Sequence, residues 1–417
     1  MDHLELRKKK QMTLTKPNDC AAMCRGFFDF EQGRVYDTII SGGRLSDRTA
    51  MELSLLQDLR ILTAKGGRPE PAILLHQHNG YLSQALCREG NSVTLPGQRR
   101  CSLSLLQGIQ DCDLAAVLFY TARNRFGSST ALLELLRIGI ELLRLGRQPI
   151  TLQSLHALPW HSLQREVERL AAAGILEGEE MLEMMGRADA SRTERDSASL
   201  LFEELSLDQG MVQPAPNSCG LQQALDCGGI VCLDLPSNQQ KTLKELYFQL
   251  FRLFARQQRR FLLVLDGVSF WEDGSEMRQM LLDKDTAFSW IVSGPDIASV
   301  LGQDLHSFLG GVNVVLFAHG SGNSATAWAD FFGQTYQLKV STSSSRSHDE
   351  MRFLGSQSTR GETRDMERRY RILPEAIQSL AAGEALVQAA SPSSVPWYVD
   401  IHRYLNAGPG PMRLLRD

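Results

Sequence analysis

Apolar residues along this chain follow two habits. Short continuous runs, bounded by glycine, proline or charge, alternate with longer stretches in which leucine recurs every three or four positions. The first habit reads as strands buried on both faces, the second as helices. Residues 35–40 are predicted as a strand entering a glycine turn. Leu45–Ala64 then follows as a helix, with Leu53, Leu56, Leu59 and Leu62 on one side and Gly66 and Gly67 ending it. Residues 71–76 (PAILLH) are a second buried strand, 83–88 a helix and 92–95 a strand. After a long interruption come strands at 229–235, 259–266, 288–292 and 312–317, helices at 241–256, 296–309 and 325–332, and an edge strand at 336–340. Strands alternating with helices indicate a parallel sheet with crossovers.

The interruption is helical. From 102 to 207 the periodicity gives no strand; Ala131–Leu145 is its strongest amphipathic segment, with further helices at 163–173 and 198–205, punctuated by Pro149, Pro159 and Gly174. Residues 211–217, with Pro214 and Pro216, return the chain to the sheet. The Ser- and Arg-rich stretch 342–369 is expected to be mobile.

A length of 417 residues favours two or three structural units. The net charge of −4 excludes a wholly basic nucleic-acid binder; the basic stretches 7–10 and 364–371 read as solvated surface or a flexible end. No run approaches the ~20 apolar residues that cross a bilayer, and the charged N-terminus lacks an apolar signal core, so a cytoplasmic location is expected. Cys20 and Cys24 form a CxxxC with no second pair at metal spacing, and the eight cysteines are expected to be reduced thiols.

The candidate chemistry starts at the turn 37–49 (DTIISGGRLSDRT). Gly42 and Thr49 stand where a phosphate-binding loop places its first Gly and its closing Ser or Thr, but Asp47 replaces the second Gly and Arg48 the Lys. Such a loop works by pointing successive N–H groups at an anion from a helix N-terminus. Gly42, Gly43, Asp47, Arg48 and Thr49 are therefore the candidate nucleotide-binding residues, and Thr49 could offer its hydroxyl to Mg²⁺. The strand ending in Asp266 delivers a carboxylate to the carboxyl edge of the sheet, where it would also serve Mg²⁺. The catalytic candidates are Asp266 and Arg48. A plain strand–turn–helix and a strand-terminal turn acid are the alternatives.

Loop, PAILLH strand, helical insertion, IVCLDLPS strand and LLVLD strand, in that order, resemble the type IV secretion and conjugation coupling proteins (the TraD/TraG-like P-loop ATPases). The similarity runs from 37 to 405. Its most specific piece is 370–377 followed by Leu380 and the GEALV segment 383–387; residues 312–333 are similar to the family's late strand and the helix after it. The resemblance implies an α/β, RecA-like P-loop NTPase fold with a mostly parallel sheet and an inserted all-α domain. The divisions are a lead-in at 1–34, the nucleotide-binding domain at 35–101 and 211–405, the helical insertion at 102–210 and a tail at 406–417. It also implies ATP and Mg²⁺ as cofactors, and as partners the secretion or conjugation machinery, DNA, and further copies or an active ATPase in an oligomer, with a location peripheral to the inner membrane.

Three positions depart from the family together: Asp47-Arg48-Thr49 for Gly-Lys-Thr, Asp266-Gly267 for Asp-Glu, and Ser293-Gly294 where a Gln senses the γ-phosphate. The family's N-terminal pair of membrane helices has no counterpart here. Losing a positioning lysine, a water-activating acid and a sensor costs orders of magnitude each in phosphoryl transfer. Three readings follow: an impaired ATPase homologue acting as scaffold or regulator; a working DNA motor in which Arg48 and an arginine supplied in trans (Arg364, Arg368 or Arg369) replace the lost groups; and an adaptor that binds no nucleotide. Lesser features point to structure. His76 and His78 lack a carboxylate at metal-binding spacing, and His319 in HGSGNS lacks the hydrolase elbow frame. Phe270 and Trp271 suit packing better than base stacking, and the stretch around Arg346 and Arg360 suits a loop better than a phosphate track.

Overall fold

The computed structural model describes residues 27–29, 34–64, 69–76, 100–209, 213–235, 241–267, 275–283, 287–346, 358–390 and 396–400. The predicted helix 83–88 and strand 92–95, the basic stretch 7–10, the Cys20/Cys24 pair, His78, Phe270, Trp271 and the tail 406–417 lie outside them.

Along the chain we label β1 (Thr38–Ser41), α1 (Leu45–Ala64), β2 (Ala72–His76), α2 (Asp111–Phe126), α3 (Ala131–Leu145), β3 (Ile230–Asp234), α4 (Lys241–Arg256), β4 (Leu262–Asp266), β5 (Ser289–Gly294), β6 (Asn313–Leu316), α5 (Gly322–Phe332), β7 (Gln334–Arg346), β8 (Ser358–Tyr370), β9 (Glu384–Gln388) and β10 (Trp397–Asp400). Eight strands form one sheet in the order β10-β9-β6-β1-β5-β4-β2-β3. The six from β6 to β3 run parallel; β9 and β10 add antiparallel at one edge. The core strands read as continuous apolar runs because both faces are covered. Ile39, Leu75, Leu263 and Val292 pack on one side. Ile40, Leu74, Val264 and Ile291 pack on the other, together with Met51, Leu55 and Leu56 of α1.

Several boundaries are as the periodicity predicts: α1, α3 and α4 begin and end on the expected residues. Helices fill most of 111–209. Gly139 of α3 has no Cβ, which would collide with the Trp160 ring; that ring stacks on Phe202 at 5.2 Å. These helices share the core on one face of the sheet, and α2 is tied to α4 by Arg125 Nε donating to Thr242 Oγ1 at 3.1 Å and Asn124 Nδ2 donating to Glu245 at 2.7 Å.

Four expectations are corrected. The strand into the turn starts at Thr38; Arg34–Val35 instead pairs back on Phe28–Asp29. The stretch from 102 does open on a strand: Arg100–Ser104 pairs in parallel with Gln213–Gly220, whose two prolines are tolerated because the pair is only two strands wide. Residues 336–340 do not edge the main sheet. They belong to β7, which pairs with β8 over thirteen antiparallel residue pairs, so much of 342–369 is a regular ribbon. Its polar composition resembles that of a disordered segment, but the cross-strand ladder satisfies the backbone without an apolar core.

Candidate functional site

The parallel strands end on one edge, and their last residues form a polar row. Asp266 is level with His76 on one side and Ser293 on the other; Ser41 is level with Gly294. β1 and β4 are separated only by β5, so the glycine turn after Ser41 and the acid at Asp266 share one end of the sheet.

The turn leaves the sheet still pinned to it. Gly42 N donates to Gly294 O at 3.1 Å and Gly43 N to Ala318 O at 2.9 Å. Both glycines are left-handed, at φ +88° and +66°. A Cβ on Gly42 would lie 2.5 Å from the His319 ring, and one on Gly43 2.7 Å from Phe317 Cβ, so conformation and space each demand glycine. The helix then begins at Leu45, before the end of the loop frame. Asp47, in its first turn, accepts from Arg44 N at 3.4 Å, while Asp47 N and Arg48 N donate to Arg44 O at 3.1 and 3.2 Å. The acid caps its own helix, where a negative charge suits the exposed N–H groups.

Arg48 turns inward. Its Nη1 donates to Gly42 O at 3.1 Å and Gly43 O at 3.0 Å, and only 6% of the residue is exposed. Burial lowers its pKa, opposed by the nearby charges of Asp266, Glu52 and Asp47 in that order; the guanidinium stays protonated at any working pH. Glu52, one turn along α1, is 1% exposed. Burial first, and Asp266 second, hold its carboxyl well above the usual range, outweighing the Ser293 hydroxyl and Arg48. Neither Glu52 oxygen, nor the Ser293 hydroxyl, nor Arg48 Nε completes a hydrogen bond of good geometry. One arginine and two acids thus sit under the turn, with Glu52 favoured in its neutral form.

A second network backs the turn. Ile297 N donates to Ser41 Oγ at 3.2 Å, and Ser41 Oγ lies 3.0 Å from His319 Nε2. His319 Nδ1 lies 2.9 Å from Phe317 O; a carbonyl only accepts, so Nδ1 carries the proton and Nε2 accepts from Ser41. Burial lowers the His319 pKa and keeps the ring neutral. Asp296 accepts from Ser299 N at 3.1 Å and from the Ser324 hydroxyl at 2.7 Å. HGSGNS is therefore a structural peg under Gly42. His76 is fully buried and its pKa falls to about 4 through burial. Among the described residues no group of His, Cys, Asp and Glu could hold a metal ion.

The structure brings Gly42, Gly43, Asp47, Arg48, Thr49 and Asp266 to one place. Arg364 lies on the ribbon, as do the exposed Arg368 and Arg369. Sequence reasoning missed Glu52, because α1 is buried at every position from Arg48 to Leu56 and an acid inside an apolar helix carries no motif. It also missed the direction in which Arg48 points. The turn does not fit a triphosphate as it stands. The N–H groups of Gly42, Gly43, Arg44, Asp47 and Arg48 donate within the chain, and Arg48 covers the two carbonyls.

A mostly parallel sheet with a glycine turn and helix after one central strand, and an acid at the tip of the next strand but one, defines the fold of the P-loop NTPases. No protein-family model matches the chain, and no curated protein does. Solved structures do. The bacterial conjugative coupling protein TrwBΔN70 in its unbound form superposes with a TM-score of 0.56 at 13% identity, over 92% of this chain and 91% of that one. TrwB in complex with the non-hydrolysable ATP analogue ADPNP gives 0.51 at 12% identity, over 92% of each chain. The chain has the fold of the conjugative coupling proteins. Among its described residues no helix is long and apolar enough to cross a membrane.

Proposed function

We propose that this chain is a coupling-protein-like homologue of the conjugation or type IV secretion ATPases that does not hydrolyse ATP and acts as a scaffold or regulator of transfer. One observation carries the reading: the N–H groups of Gly42 and Gly43 donate to the neighbouring strand ends, those of Arg44, Asp47 and Arg48 donate within the first turn of α1, and the Arg48 guanidinium lies against the carbonyls of Gly42 and Gly43. A phosphate cradle needs those donors free and facing its anion. Gly267 adds to this, since no carboxylate follows Asp266 to orient an attacking water. On this reading residues 102–210 are the helical insertion of the coupling-protein plan. Partners would be machinery proteins, DNA, and further copies or an active ATPase, at the inner face of the inner membrane.

The test is ATP turnover by the purified protein with Mg²⁺ and DNA, alongside a thermal shift with ADPNP. No turnover above the blank is expected. A nucleotide at a hundred times its Kd would stabilise by ~2.7 kcal/mol; no shift at millimolar nucleotide is expected from a closed turn. Turnover at several per second would establish the motor reading instead. A clear shift without turnover would show that the turn opens, leaving a nucleotide-binding scaffold.

A further inference from the structure

One helix between residues 111 and 209 shows solvent a face whose residues weaken it with no gain inside the chain. The helix Gly178–Ala190 buries Met184 and Ala188, and its start is capped by Glu180, which accepts from Glu177 N at 3.2 Å. At ~3.6 residues per turn, Glu179, Leu182, Glu183, Gly186, Asp189 and Ala190 share the opposite face, and all of them are exposed.

Leu182, near the centre of that face, is 67% exposed. Gly186 sits inside the helix, where only proline is less favourable. A Cβ there would meet nothing within 4 Å, and the backbone is not left-handed, so neither packing nor conformation demands the glycine. Glu179 and Glu183 are like charges one turn apart and repel each other. The only base of the helix, Arg187, is taken up by Glu134 at 2.7 Å and Glu141 at 3.2 Å. Glu179, Glu183 and Asp189 therefore have no countercharge from their own helix. Leu182, Gly186 and Ala190 follow one another at four-residue spacing, so an apolar knob stands in line with a shelf of small residues where a second backbone can come close. A single exposed leucine is ordinary on a surface; a leucine beside such a shelf, edged by acids, has the shape and charge to receive a helix.

We propose that this face docks a basic amphipathic helix of another protein, with its apolar ridge along Leu182, Gly186 and Ala190 and its lysines or arginines against Glu179, Glu183 and Asp189. Charge decides the class of partner. A nucleic acid or an anionic membrane presents phosphates that these carboxylates repel. A neutral or acidic helix leaves the acids unmatched, whereas a basic one gains steering and register from them. The proposal is independent of whether the turn at Gly42 takes nucleotide.

The experiment is fluorescence anisotropy of the full chain with a labelled leucine–lysine peptide of about 18 residues in amphipathic helical order, and with a shuffled peptide of the same composition. The ordered peptide should bind about tenfold tighter than the shuffled one. Leu182→Ser should weaken it about tenfold, as loss of a central apolar anchor does. Gly186→Leu should weaken it to a similar degree by filling the shelf, while raising the urea midpoint, because the helix gains propensity and the space outside is open. Glu179→Gln with Glu183→Gln should flatten the salt dependence of binding. Leu200→Ser, at an exposed leucine of the helix Arg195–Gln209, should leave binding within about twofold. The proposal is overturned by no binding of the ordered peptide at about 0.1 mM, by equal binding of the shuffled one, or by unchanged binding in Leu182→Ser or Gly186→Leu. A lower urea midpoint in Gly186→Leu would overturn it too, by making the glycine structural. Sedimentation of the parent and Leu182→Ser completes the test, because a parent oligomer that the substitution dissolves would make the face a contact between copies instead.

Discussion

Replacing Arg48 by methionine keeps most of the volume of the side chain and removes its charge. Two hydrogen bonds go, those to Gly42 O and Gly43 O, along with the countercharge to Asp266 and Glu52. Hydrogen bonds from charged donors contribute ~1.5–3 kcal/mol each. Stripping one partner from a buried ion pair costs ~3–5 kcal/mol. The two figures describe overlapping losses, so the expected cost is about 3–5 kcal/mol, a large part of the ~5–15 kcal/mol that holds a domain together. It should also depend on pH. Without the guanidinium, the Glu52 carboxyl rises further above its usual range and binds its proton more tightly. Below the parent's folded pKa both proteins hold that proton. Above it the variant alone retains the proton against release in the unfolded chain, so the cost grows by up to ~1.4 kcal/mol per pH unit. Urea unfolding followed by circular dichroism at pH 6 and pH 8 reads both numbers, with the exposed Arg44→Met as control, expected within ~0.5 kcal/mol of the parent. A cost under about 1 kcal/mol at both pH values would refute the buried charge cluster.

Glu52→Gln makes the complementary case. Its folded pKa is raised, so in the parent the neutral carboxyl loses stability as pH climbs above 4.5 towards the folded value, and the variant should flatten that limb of the stability–pH curve. His76 has the opposite sign. Its folded pKa of about 4 lies below 6.5, so stability present above 6.5 is lost as pH falls towards 4, by ~3 kcal/mol in total, and His76→Gln should remove most of the difference between unfolding midpoints at pH 7 and pH 4.5. Gly42→Ala combines a left-handed residue at ~1–2 kcal/mol with a 2.5 Å clash against His319 at a further ~1–3 kcal/mol. Gly127→Ala, at φ +73° with open space around it, isolates the backbone part and should cost only the first figure in the same urea titration.

The sheet was legible because a strand covered on both faces must be apolar throughout, and 71–76 and 262–266 are. α1, α3 and α4 were legible to the residue because glycine, proline or charge marks their ends. The ribbon was not, since a two-stranded arm needs no apolar face and Ser/Thr/Arg runs serve a ladder as well as they serve solvent. At the site, the turn and Asp266 could be placed together from strand order alone. What lay beyond reach was orientation: nothing in Asp47-Arg48-Thr49 says that the arginine folds back on the carbonyls behind it, or that a second acid near that cation, besides Asp266, is buried four residues further along the helix.

That arrangement fixes the order in which the turn can be rebuilt. Removing Arg48 first strands two acids in the interior; neutralising Glu52 first leaves the guanidinium with Asp266 and a smaller imbalance. A mutational path that clears the turn must therefore begin at the acid and finish at the arginine, and a library varying both positions at once will yield folded, open turns that libraries varying either alone will not.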